Sequence, residues 1–216
     1  MEIKDAVTAH DVPWSWGDVE EALTVHTVET DEATILFGAG DESTADDVVS
    51  VATEYDVDVV VAEHGDVDHY EGIPFLQDAL DVTVAIPAGD AGVLEEAGIE
   101  YDVGLEGGET YWGVQTVSVP GHTPDNMAFL YGDVLIAGDT VAGSDSAFAM
   151  DGAWSGPLAP LAEQLNYDTE RTLKSVSTLL EYELTSVLTA HGQSALEDGD
   201  QAVETLMADI EAGAMD

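Results

Sequence analysis

Only Lys4, Arg171 and Lys174 are basic among 216 residues that include 46 Asp and Glu, giving a formal net charge of −43. A chain this acidic stays unfolded when it is poor in apolar residues, because it cannot bury enough surface to offset its conformational entropy. Here 45% of the residues are hydrophobic, and they recur with strand and helix periods. The acid must therefore cover the outside of an apolar core. Molar salt shortens the reach of each surface charge to roughly 3 Å, which relieves the self-repulsion of such a surface. The composition predicts a source in an extreme halophile that keeps a salt-rich cytoplasm.

The same imbalance excludes classes of partner. Nucleic-acid binding draws its affinity from Lys and Arg neutralising phosphates, and three basic residues cannot line a groove. Binding to polyphosphates or an anionic membrane surface is disfavoured on the same ground. The absence of cysteine rules out disulfides, thiolate metal sites and cysteine nucleophiles. No apolar run is long enough to span a bilayer, and MEIKDAVTAHDVPWSW lacks the regions of a signal peptide. The expectation is a cytoplasmic protein of one domain, residues 1–216, acting on a small molecule, with its oligomeric state left open.

Along the chain, ALTVHTVE and ATILFGA flank ETDE as a hairpin, and STADDVVSVATEY has a helix cap and helical spacing. DVDVVVAEH reads as a short buried strand, followed by a helix from Ile73 to Leu80, a strand VTVAIP and a helix closed by Gly98. ETYWGVQTVSVPGH and NMAFLYGDVLIAGDT read as strands, the latter with a turn at Gly132 and Asp133. Residues 141–160 read as a loop or lid carrying Phe148, Met150 and Trp154. YDTERTLKSVSTLLEYE reads as an amphipathic helix with Leu173, Val176, Leu179 and Leu180 on one face. A strand TSVLTAHG and a closing helix follow. Strand and helix blocks in this order predict an α+β fold, a four-layer αβ/βα sandwich of two sheets covered by helices.

Of six histidines, four stand just after apolar strand-like runs and beside glycine, in VVVAEHG, VDHYEG, VSVPGHT and SVLTAHG; Asp139 has the same setting in VLIAGDT. Strand ends let a rigid scaffold aim side chains into a shared cleft. His26 lies within a strand and reads as packed or exposed rather than functional. Trp14 and Trp16, in DVPWSWGD after His10, are candidates to border the cleft, and Tyr70, beside the clustered histidines, is a further candidate for substrate contact, as is Trp154 in the lid.

Taken in order, H-x-D-x-D-H, PGHT, GDT and HG resemble the metallo-β-lactamase superfamily, whose first motif is H-x-H-x-D-H; the resemblance runs from about Ala22 to His191. It implies the four-layer fold and a site of two divalent metal ions, zinc first with manganese or iron as alternatives. His64, Asp68, His69, His122, Asp139 and His191 match the family's ligands, with Asp139 between the two ions and Asp68 and Asp139 taking catalytic parts. A pair of ions roughly 3.5–4 Å apart holds a bridging hydroxide as nucleophile. The implied function is a metal-dependent hydrolase, with no Ser or Cys nucleophile required.

Two departures matter most. Asp66 stands where the family has its second histidine, so the first ion would be held by His64, Asp66 and His122, with one more negative charge than usual. FGAG at 37–40 replaces a turn that commonly carries an Asp, so Gly38 cannot supply a carboxylate to orient a metal ligand. The scarcity of Lys and Arg points away from anionic substrates and toward an ester, thioester or lactone with a mainly neutral acyl part. A flavodiiron-like redox module and a degenerate metal-binding scaffold without catalysis are the alternative readings.

Overall fold

The computed structural model describes residues 1–4 and 6–214. β1 (Glu2–Lys4), β2 (Val7–Trp16), β3 (Val19–Glu29), β4 (Thr34–Phe37), β5 (Val59–Val61), β6 (Thr83–Pro87) and β7 (Val103–Leu105) pair in chain order as one seven-stranded sheet. Its first strands are antiparallel and β4 to β7 are parallel. The parallel crossovers carry α1 (Ala45–Glu54), α2 (Val67–Tyr70), α3 (Ile73–Ala79) and α4 (Gly92–Ala97). A second sheet contains β8 (Thr110–Tyr111), β9 (Val114–Ser118), β10 (Met127–Tyr131) and β11 (Val134–Gly138). β12 (Ala142–Gly143) and β13 (Leu158–Ala159) pair separately, and after α5 (Thr169–Ser175) comes β14 (Ser186–Thr189), which joins the second sheet beside β11. α6 (Gly199–Ala212) closes the chain.

Three apolar clusters follow from this layering. Val28, Phe37, Val61, Phe129 and Ile136 fill the space between the sheets. Val48, Ala52, Ile73, Leu76 and Leu94 pack the helices on the seven-stranded sheet, and Val176, Leu179, Val203 and Leu206 pack the last helices on the second. Three cores make four layers, the predicted αβ/βα sandwich.

The sequence reading is corrected in three places. The N-terminal segment that carries Trp14 and Trp16 is a strand, which the sequence reading did not give: β2 pairs with β3 along its whole length, Val7 with Val28 through Trp16 with Val19. Its apolar alternation is hidden because the covering layer changes along the strand, Val7 facing between the sheets while Val12 and Trp14 pack in the cluster on the opposite face. Second, Leu180 is exposed although Val176 and Leu179 are buried, because α5 continues as a 3-10 helix over Val176–Glu181. Three residues per turn keep positions 176 and 179 in line and turn 180 outward. Third, the 141–160 segment, read as a loop or lid, also contains two short paired strands, β12 and β13, and buries Phe148, Met150 and Leu158.

The described residues contain no helix long and apolar enough to cross a membrane. Their acidic side chains lie outside the core with four exceptions, Glu63, Asp68, Asp90 and Asp139. All four surround one centre.

Candidate metal centre

His64 follows β5, Asp66 caps α2, and Asp68 and His69 sit on that single turn of helix; His122 follows β9, Asp139 follows β11 and His191 follows β14. Seven residues spread over 128 positions are thus carried to one end of the two sheets. The turn before His122 allows no other residue than glycine at 121: φ is +142°, and a Cβ there would stand 2.2 Å from the Thr172 backbone nitrogen at the start of α5. Backbone hydrogen bonds from Tyr167 to the His122 carbonyl and from Asp168 to the Gly121 carbonyl, 2.8 and 2.9 Å, fasten that turn to the helix.

The donor atoms fall into two sets that share Asp139. His64 Nε2 and His122 Nε2 are 3.2 Å apart, and Asp66 Oδ2 lies 3.1 Å from His122 Nε2 and 3.8 Å from His64 Nε2. Asp139 Oδ2 stands 3.6 and 4.0 Å from the same two nitrogens. On the other side, Asp68 Oδ2 is 3.2 Å from His191 Nε2 and 3.9 Å from His69 Nε2, while Asp139 Oδ1 is 3.5 Å from His69 Nε2 and 3.7 Å from His191 Nε2. Ligands about 2.1 Å from a tetrahedral ion stand roughly 3.4 Å from one another, so each set has the spacing of a divalent-ion shell. His69 Nε2 and Asp139 Oδ1 are buried with no hydrogen-bond partner, as expected of atoms built to meet a cation. The donor set of imidazole and carboxylate suits zinc, manganese or iron.

The electrostatics agree. Burial works against charge on Asp139, but His191 and His69 hold its carboxyl well below the usual range. Burial likewise opposes charge on His69, His122 and His191; Glu63 and Asp68 raise the first, Asp66 and Asp139 the second, Asp139 and Asp68 the third. His64 is pushed well below the ordinary imidazole value by burial and by His69 and His122. The carboxylates thus favour positive charge at His69, His122 and His191.

Two supporting acids escaped the sequence reading. Asp90 is buried, accepts hydrogen bonds from the Thr123 hydroxyl and the Asp125 backbone N–H, and is also bonded by the Gly65 backbone. It ties the loop of His64 to the loop of His122. Glu63 accepts from His69 Nδ1 at 2.9 Å and is 1% exposed. Its side chain fills the space that a residue at 38 would enter: a Cβ on Gly38, where φ is +84°, would lie 3.6 Å from Glu63 Oε2. The carboxylate missing from FGAG is therefore supplied by the neighbouring strand. Position 63 continues the alternation of Val59 and Val61, and an acid on that buried face was the available signal.

The cleft beside the cluster encloses about 360 Å³ and is lined by Trp14, Trp16, Phe148, Leu161 and Leu165 together with Asp41 and the clustered residues. Phe148 stacks 4.8 Å from His191, and Trp14 5.1 Å from it, its indole N–H donating to Asp41 at 2.7 Å. Tyr70 and Trp154 do not border this cleft. Tyr70 packs on the helix-side core, being only four-residue α2's last position, and Trp154 packs on the core beneath α6 with its N–H bonded to the Met150 carbonyl.

No protein-family model and no curated protein sequence matches the chain. Solved structures do. A four-layer sandwich with clustered His and Asp at one end of its sheets is the architecture of the metallo-β-lactamases, and the chain superposes on several of them. The metallo-beta-lactamase from Pontibacter korlensis has a TM-score of 0.75 at 18% identity, over 98% of this chain and 97% of that one. The FIM-1 metallo-beta-lactamase of Pseudomonas aeruginosa, solved in a mono-zinc form, has 0.77 at 16%, over 100% and 95%, and that of Hirschia baltica 0.73 at 16%, over 96% and 95%. The chain has the metallo-β-lactamase fold.

Proposed function

We propose that the protein is a metal-dependent hydrolase of an ester, thioester or lactone. The observation that carries this reading is Asp139, whose two oxygens face separate donor sets: His64, Asp66 and His122 on one side, Asp68, His69 and His191 on the other. These residues would hold two divalent ions, zinc first. When bound, such ions supply Lewis-acid polarisation of a substrate oxygen and lower the pKa of water.

The rest of the chemistry is the protein's own. The imidazoles present Nε2, Asp66 and Asp68 one oxygen each and Asp139 both, so the buried ligands are pre-aimed and need little reorganisation on loading. Trp14, Phe148 and Leu161 give the cleft an apolar wall that excludes water from a bound acyl group. No Lys or Arg lines the cleft, while Asp41 and Asp66 do. An anionic substrate would meet carboxylates without a matching cation, which favours a neutral acyl part.

The test is metal content and turnover of protein purified in molar salt. Asp139→Ala and His122→Ala should fold and lose hydrolysis of a generic thioester and ester. Full turnover by both variants contradicts the proposal.

A further inference from the structure

The four clustered histidines are not supported equally. His64, His122 and His191 each leave Nδ1 buried without a partner among the described residues, whereas His69 Nδ1 meets the buried Glu63 carboxylate at 2.9 Å. A carboxylate on the outer nitrogen fixes the tautomer and the ring orientation of a ligating imidazole and raises its basicity. The two donor sets differ in their carboxylates as well. Asp68 is nearly buried on the rigid turn α2, while the Asp66 side chain is 45% exposed at the cleft mouth.

Resting on the metal-dependent reading above, we propose that Glu63 is a positioning residue that makes the Asp68–His69–His191 set, with Asp139, the tighter of the two positions and the first to take a divalent ion. Glu63 holds the proton on His69 Nδ1, which leaves the Nε2 lone pair aimed at Asp139 and Asp68. The set of His64, Asp66 and His122 has no such anchor on either ring and includes a solvent-exposed carboxylate that must lose side-chain freedom on binding. It fills second.

The test uses the full chain in molar salt, freed of metal with a chelator and titrated with Zn2+ while the imidazole nitrogens are followed by ¹⁵N NMR. The expected result is that His69 and His191 shift with the first equivalent and His64 and His122 only with the second. Glu63→Gln should weaken the first binding step by about 10–100-fold and leave the second within a few-fold. His64 and His122 shifting first, or a variant that weakens both steps alike in proportion to a loss of Tm, overturns the proposal. The metal-free spectrum, recorded above the pH at which His69 loses its second proton, separates its failure from that of the hydrolase reading: His69 should be the Nδ1–H tautomer in the parent chain and a mixture in Glu63→Leu. If the parent binds no Zn2+, the hydrolase reading falls, while an unchanged tautomer in Glu63→Leu removes Glu63 as the positioning residue whatever the metal does.

Discussion

Asp66 Oδ2 lies 3.1 Å from His122 Nε2, as close as the two imidazole nitrogens of its set lie to each other, 3.2 Å. The residue that departs from the family pattern thus stands within the spacing of its donor set. Its effect is on charge: two divalent ions against Asp66, Asp68 and Asp139 leave +1, where a histidine at 66 would leave +2. Asp66→His should acidify the pH–rate profile of hydrolysis, because the more positive cluster lowers the pKa of its water. An unchanged profile together with unchanged zinc content would place Asp66 outside the ligand set.

Loading the cluster must displace protons. His69, His122 and His191 are each raised above the ordinary imidazole value by the facing carboxylates, so protons and an ion compete for the same nitrogens. Zn2+ uptake at pH 7 should release protons, and the apparent affinity should climb with pH until these groups are already deprotonated. Calorimetric titration in two buffers of different ionisation enthalpy reads the release; equal heats in both would contradict it.

His26 gives the chain an acid-sensitive core. Burial, then the fields of His10 and His69, push its pKa down to about 3, and neither ring nitrogen has a partner. Because the folded pKa is depressed, the unfolded chain binds the proton first. Stability is therefore lost as pH falls from the ordinary value near 6.5 toward 3, by up to about 1.4 kcal/mol per pH unit from this group. His26→Leu should flatten that limb of a urea-denaturation series; the same slope in both proteins would contradict the assignment.

Salt should govern stability. With −43 charges and the described acids almost all outside the core, screening removes mostly repulsion. Tm should rise between about 0.1 M and molar KCl, where the Debye length contracts from roughly 10 to 3 Å. A Tm independent of salt would mean that the surface charges are already compensated.

Asp90→Ala removes the acceptor shared by Thr123, Asp125 and Gly65. It should loosen the His64 and His122 loops together, lowering affinity at that ion position by about 10-fold with a loss of roughly 1–3 kcal/mol in stability. Zinc titration of the variant alongside denaturation checks both effects.

The sequence by itself determined a great deal: an apolar core under an acidic surface, the αβ/βα layering, and the seven residues now found around one centre. Periodicity reports which face of a strand is buried, His64, His122, Asp139 and His191 come just after strands, and the resemblance in motif order singled out Asp66, Asp68 and His69 on the turn between. Only the tertiary structure decided what stands behind those residues. Glu63 and Asp90 are two acids among 46; Asp90 is alike in sequence to those in solvated turns, and Glu63 is marked only by its place after a buried strand. What distinguishes them is burial and a partner contributed by another segment, 6 residues away for Glu63 and 33 for Asp90. The same holds for Tyr70 and Trp154, which have the chemistry of a cleft wall but pack on the cores outside it, and for Trp14 and Phe148, which line it. Which way a side chain points is settled by the layer that covers it, and that layer is assembled from residues far along the chain.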